Sequence, residues 1–131
     1  MENELYRDLK HIEFMTDEEA REALISVQSM MAGEVDRSGA LAGLLRDKEE
    51  ESIERVDHNL APSVTLIYKG LMPDGQTHVV IDFILRGYKL SCNMRICYGA
   101  GGQARYSGRL SGGTIGELAE RAMKSVQMEM A

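Results

Sequence analysis

The sequence predicts one α+β domain over residues 1–131: an N-terminal helical arm (1–61), a four-stranded antiparallel meander (62–111) and a C-terminal helix (112–131) packed on the sheet. Three observations carry this. Apolar residues recur at near-four spacing through the first sixty residues, where neither of the 2 prolines falls. From Pro62 the apolar period drops to two, the mark of strands buried on one side only. After Gly112-Gly113 the helical period returns. A chain of 131 residues can bury one core without disulfides or metals and leaves no room for a second full domain.

In the arm, Thr16 with Glu19 forms a capping box, and Ala20, Ala23, Leu24, Val27, Met30 and Met31 follow on one stripe that Gly33 interrupts. A second helix is predicted from near Ser38, with Leu41, Leu44, Leu45, Ile53 and Val56 on its apolar stripe and the charged run Asp47 to Glu51 on its solvated side. Residues 2–15, with Leu5, Leu9 and Ile12, fit a shorter helix before these.

Four strands follow, about Ser63 to Leu71, Thr77 to Arg86, Tyr88 to Tyr98 and Gln103 to Leu110. Pro73-Asp74-Gly75 supplies the first turn, Gly87 the second, and Gly99-Ala100-Gly101-Gly102 leads into the last strand. Connections this short imply antiparallel neighbours. The final helix opens on a second capping box, Thr114 with Glu117, and carries Ile115, Leu118, Ala119, Ala122, Met123 and Val126 on the side that should meet the sheet.

No stretch approaches the roughly 20 consecutive apolar residues of a membrane span, and no basic segment leads into an apolar run at the start. Cys92 and Cys97 match no common zinc or redox spacing and read as reduced packing residues. A cytoplasmic protein is expected, without metal or membrane partners. The net charge of −6 hides a division: residues 1–61 carry 16 acids and 7 bases, whereas residues 62–111 carry 2 acids and 6 bases. A basic segment in an acidic protein focuses positive potential on small anions better than on a long nucleic acid.

Alternation puts Val79, Ile81, Phe83, Leu85, Leu90, Cys92, Met94 and Ile96 on the core side. The opposite side collects Asp82, Arg86, Lys89, Ser91, Asn93, Arg95, Arg105, Ser107 and Arg109. A guanidinium presents a planar fork matching two phosphate oxygens, so Arg105 and Arg109, four apart, with Asn93 nearby, suggest a grip on a phosphodiester or pyrophosphate. The stretch Gly108 to Thr114 ends at a helix N-terminus, a second place that favours an anion. The competing reading is a solvated sheet face whose arginines pair with carboxylates of the arm. Signals for catalysis are poor: His11, His58 and His78 are scattered, no GxSxG elbow occurs, and Asp74 and Asp82 lack an obvious carboxylate partner.

With these residues in place, the sheet segment resembles the phage anti-Thoeris sponge family, Thoeris anti-defence protein one. Members sequester cyclic ADP-ribose isomers through a stacking aromatic, an asparagine and two arginines four residues apart, and some take cyclic nucleotides of the CBASS type. Phe83, Asn93, Arg105 and Arg109 reproduce those types in order, with Ala104 beside them and Arg95 on the same basic segment. The resemblance implies a non-enzymatic binder that blocks anti-phage defence by depleting a cyclic nucleotide, without a cofactor, and built as a homo-oligomer, a dimer or dimer-based hexamer. Two other readings stand beside it. An acidic dimeric chaperone or adaptor for a partner polypeptide would suit the Met-bearing helices. A nucleic-acid-binding sheet would need aromatics on the basic face, where alternation leaves few.

Overall fold

The computed structural model describes residues 16–41, 47–54, 63–72, 74–86, 89–98 and 104–130. Its elements are α1 (Asp17–Ser38), β1 (Asp47–Glu54), β2 (Ser63–Leu71), β3 (Thr77–Arg86), β4 (Lys89–Tyr98), β5 (Ala104–Ser111) and α2 (Ile115–Met130). The architecture is α+β. Five strands lie side by side in chain order, each antiparallel to its neighbours.

Helix α1 starts as its capping box requires: the Glu19 amide donates to Thr16 Oγ1, and the Thr16 amide donates to the Glu19 carboxylate. It does not stop at Gly33. The apolar stripe Ala20, Leu24, Val27, Met31 is continued by Val35, and the helix ends when Gly39 turns left-handed at φ 67°. A glycine inside a helix costs about 1 kcal/mol relative to alanine, less than burying Val35 returns. Ser38 is therefore the last residue of α1 rather than the start of a second helix.

The larger departure is β1. The segment predicted as a second helix is a strand along Asp47–Glu54, paired with β2 from Asp47↔Lys69 to Glu54↔Ser63 and shifted in register between Lys48 and Glu50. Helix-favouring Glu and Lys gave way to the unpaired backbone groups of β2, whose ladder is worth more than local propensity. A heavily charged strand suits a sheet edge, where charges oppose edge-to-edge aggregation. The stretch 2–15 and Leu44, Leu45 and Val56 of the predicted second stripe lie outside the described residues.

Both helices cover one face of the sheet. Val64, Leu66 and Tyr68 of β2, Val79, Ile81, Phe83 and Leu85 of β3, and Leu90, Cys92, Met94 and Ile96 of β4 are buried there. They meet α1 over β2, and Ile115, Leu118, Ala119, Ala122, Met123 and Val126 of α2 over β4. The predicted core residues of the sheet and of the last helix are all in this layer. Between β2 and β3 the chain reverses through Asp74, whose carboxylate accepts from the Gln76 and Thr77 amides and from Thr77 Oγ1. These bonds hold its pKa below the ordinary value, the Thr77 hydroxyl contributing most.

Candidate anion-binding face

The face turned away from the helices carries the candidate site. Strand registers set its rows: Asp82 lies opposite Asn93, which lies opposite Arg109, and Val80 lies opposite Arg95, which lies opposite Ser107. Asp82, Asn93, Arg95, Ser107 and Arg109, with Met94 and Gly108 beneath, line a shallow depression of about 450 Å³. Because Arg95 faces Ser107 and Arg109 faces Asn93, the two arginines are diagonal neighbours across β4 and β5. Diagonal positions sit about 7–8 Å apart, within reach for long side chains.

This pairing of arginines differs from the one predicted. Residues four apart on a strand are about 13 Å apart, so Arg105 and Arg109 do not meet through spacing alone. The register also slips by one residue between Ile96 and Cys97, which puts Ala104 opposite Cys97 and leaves Arg105 as the extra residue. A bulge redirects the side chain it carries. The Arg105 guanidinium lies over the Tyr98 ring, 5.3 Å from its centroid. Arg105 and Ala104, both exposed, are outside the depression, and Arg95 takes the place expected of Arg105.

Phe83 is also elsewhere. It is 0% exposed on the helix-covered face, directly opposite Leu66 and Cys92, with its ring edge-to-face against Tyr68 at 5.9 Å and 82°. The sheet separates it from the arginines, so it offers no stacking surface to a ligand on the basic face. Of the six residues the sequence nominated, the structure brings Asn93, Arg95 and Arg109 together and leaves Phe83, Ala104 and Arg105 apart.

Two polar residues of the depression were not nominated for the site, Asp82 and Ser107. Alternation had placed both on the right face, and only the register revealed that they share a row with Asn93 and Arg95. The helix N-terminus at Thr114 is already served from within. Thr114 Oγ1 accepts from the Glu117 amide, and a Cβ at Gly113 would stand 2.7 Å from the Glu117 carboxylate, so a negative group occupies that end. An anion there would meet like charge. The same Gly113, at φ 80°, follows Gly112 at φ 83°, and this left-handed pair turns β5 into α2.

The remaining reactive groups are placed by the same ladder. Cys97, half-buried, is opposite His78 in the β3–β4 register, whereas Cys92 is in the core with its thiol pushed up to about 12 by burial and by the Asp82 charge, Arg121 offsetting part. Among the described residues no three of His, Cys, Asp and Glu come together as a metal site, and no helix among them is long and apolar enough to cross a membrane. His11 and His58 lie outside the described residues. Compared with protein-family models, with curated proteins and with solved structures, the chain matches none of them.

Proposed function

We propose that the protein captures a small phosphate-bearing anion on the open face of its sheet and releases it unchanged. The observation that supports this is the placement of Arg95 and Arg109 at diagonal positions over one depression, with Asn93 and Ser107 between them as neutral hydrogen-bonding groups. Two guanidinium forks lining one depression match the oxygens of a phosphate monoester or diester. Asp82 is the one carboxylate in the lining among the described residues, and no histidine or cysteine accompanies it. Asp82 would therefore be the lone acid–base group of any conversion there, and binding without chemistry is the simpler role.

Within this class the ligand we put forward is a cyclic nucleotide signal, a cyclic ADP-ribose isomer or a cyclic oligonucleotide, with depletion of that signal in the host cytoplasm as the outcome. Capture lowers free signal by mass action, in proportion to the amount of binder above the dissociation constant. Base stacking on Phe83 is no part of the proposal, because that ring is enclosed.

The test is to incubate the chain with a panel of cyclic nucleotides, remove free ligand, denature the protein by heat and identify what is released. Intact ligand is expected, and converted ligand would refute capture. Arg109→Ala and Arg95→Ala should each weaken retention about tenfold or more, the loss of a charge-assisted hydrogen bond of about 1.5–3 kcal/mol, with melting behaviour nearly unchanged. Arg105→Ala should retain ligand. Equal retention by all three variants would remove the arginines from the site.

A further inference from the structure

Resting on that reading, we infer that the site selects a phosphate ester of a hydroxylated sugar over a bare phosphate, and that Asp82 reads the sugar hydroxyl. The depression is polar in a directional sense. Arg109 stands on the edge strand β5, Asn93 on β4 and Asp82 on β3, in one row across three strands. Two interstrand spacings separate the backbones of Asp82 and Arg109, about 10 Å in all, and side chains reaching inward shorten the gap to the span of a small ligand.

One end of the row therefore attracts negative charge and the other repels it. A phosphate that filled the whole depression would bring its own charge against the Asp82 carboxylate. A ligand with its phosphate between Arg95 and Arg109 and a hydrogen-bond donor at its far end satisfies both. Asp82 is half-buried with Oδ1 enclosed, and one carboxylate oxygen accepts about two hydrogen bonds, so the other oxygen is the one to accept from a ligand while the side chain keeps the interaction it makes within the protein.

The middle of the row decides between two kinds of donor. The Asn93 amide both donates and accepts, as does the Ser107 hydroxyl, and both line the depression. A sugar hydroxyl, which also does both, can be bonded to the carboxylate and to Asn93 at once. An ammonium group can only donate and leaves the Asn93 N–H groups without an acceptor. The row thus fits a pair of hydroxyls on adjacent carbons a few bonds from the phosphate, the arrangement that ribose phosphates have and 2-deoxyribose phosphates lack, whether free or within a nucleotide.

The experiment compares four probes on the full chain by calorimetric or NMR titration: inorganic phosphate, ribose 5-phosphate, 2-deoxyribose 5-phosphate and phosphoethanolamine, with adenosine 5′-monophosphate to distinguish a nucleotide from a free sugar phosphate. Ribose 5-phosphate should bind about tenfold tighter than its 2-deoxy counterpart, the worth of one hydrogen bond to a charged acceptor. In Asp82→Asn the two should bind alike, while inorganic phosphate binds as well as before or better. The wild-type comparison needs no variant, so it stands even if Asp82→Asn fails to fold. Equal binding of the two sugars, tighter phosphoethanolamine, or discrimination that survives in Asp82→Asn would overturn the role of Asp82. Those results leave the arginine site standing if Arg109→Ala still weakens phosphate. Absence of binding by every probe, or indifference to Arg109→Ala, would overturn both.

Discussion

Replacing Phe83 separates the two roles its chemistry allows. The side chain is fully enclosed, opposite Leu66 and Cys92, and edge-to-face with Tyr68. Phe83→Ala removes a ring from a packed layer and leaves a cavity, at a cost of about 3–5 kcal/mol, of which the aromatic pair accounts for about 0.5–1.5. Domains of this size are stable by only about 5–15 kcal/mol, so the loss is a large share of the total. With a urea m-value near 2 kcal/mol/M, a loss of about 4 kcal/mol lowers the unfolding midpoint by about 2 M. The assay is urea unfolding followed by far-UV circular dichroism, paired with retention of phosphate-bearing ligands well below the transition. Phe83→Leu keeps most of the apolar volume and should fall by less than half as much. A midpoint unchanged within about 0.3 M, together with lost ligand retention, would show that Phe83 faces the ligand and that the sheet is oriented the other way.

Other perturbations test other parts of the structure. Gly33→Ala should stabilise by about 0.5–1 kcal/mol, since the added Cβ meets only the far end of the exposed Arg37 side chain, at 3.2 Å; destabilisation in thermal melts would show that α1 ends at Gly33. A thiol reagent under native conditions should label Cys97 and spare Cys92, whose raised pKa and burial deny it thiolate character; mass spectrometry showing Cys92 labelled first would contradict the core. Asp74 is depressed below 3.8 by its Thr77 and Gln76 bonds. Its contribution to stability is therefore present above that value and lost as pH falls through the lower folded-state pKa, and Asp74→Asn should flatten the acid limb of a melting-temperature profile as pH falls below 3.8. Gly108→Val should displace Tyr106, because a Cβ at Gly108 would stand 2.7 Å from the Tyr106 hydroxyl; an unchanged Tyr106 environment by NMR would contradict the packing of β5.

Legibility in the sequence followed the strength of the local pattern. In β2, β3, β4 and α2 the apolar period, the turn chemistry and the caps agree, and the structure has each element within a residue or two of its expected bounds. Where local preference and tertiary opportunity diverge, the reading failed. Asp47 to Glu54 has helix-favouring residues and no alternating apolar face, because an edge strand held by backbone pairing with β2 does not require one. Gly33 looked like a terminator because the extension to Val35 is visible only once the sheet beneath α1 is known. In the site, alternation put Asn93, Arg95, Ser107 and Arg109 on one face. Which arginines meet depends on register and on a one-residue slip near Cys97, and neither leaves a mark in composition or periodicity.

The position of the site also argues for a small ligand over a polymer. Screening at physiological salt extends over about 8 Å, so a ligand inside the depression experiences Arg95 and Arg109 directly and the acids elsewhere only weakly. A long polyanion would not remain there. It would run along the strands or across the sheet, and across the sheet the far edge is β1, whose sequence holds Asp47, Glu49, Glu50, Glu51 and Glu54 against one lysine. Four strand spacings, about 19 Å, separate the basic edge β5 from that acidic edge, so a chain longer than a few nucleotides gains contacts with two arginines and then meets a strand of opposite character. The counterion release that drives polymer binding grows with each phosphate neutralised, and across the sheet the two rows of the depression offer Arg95, Arg109 and, on β2, Lys69 before the acid-rich edge. On the proposed reading, a preference for small ligands follows from this order of strands, with the arginine pair toward one edge of the meander and an acid-rich sequence at the other.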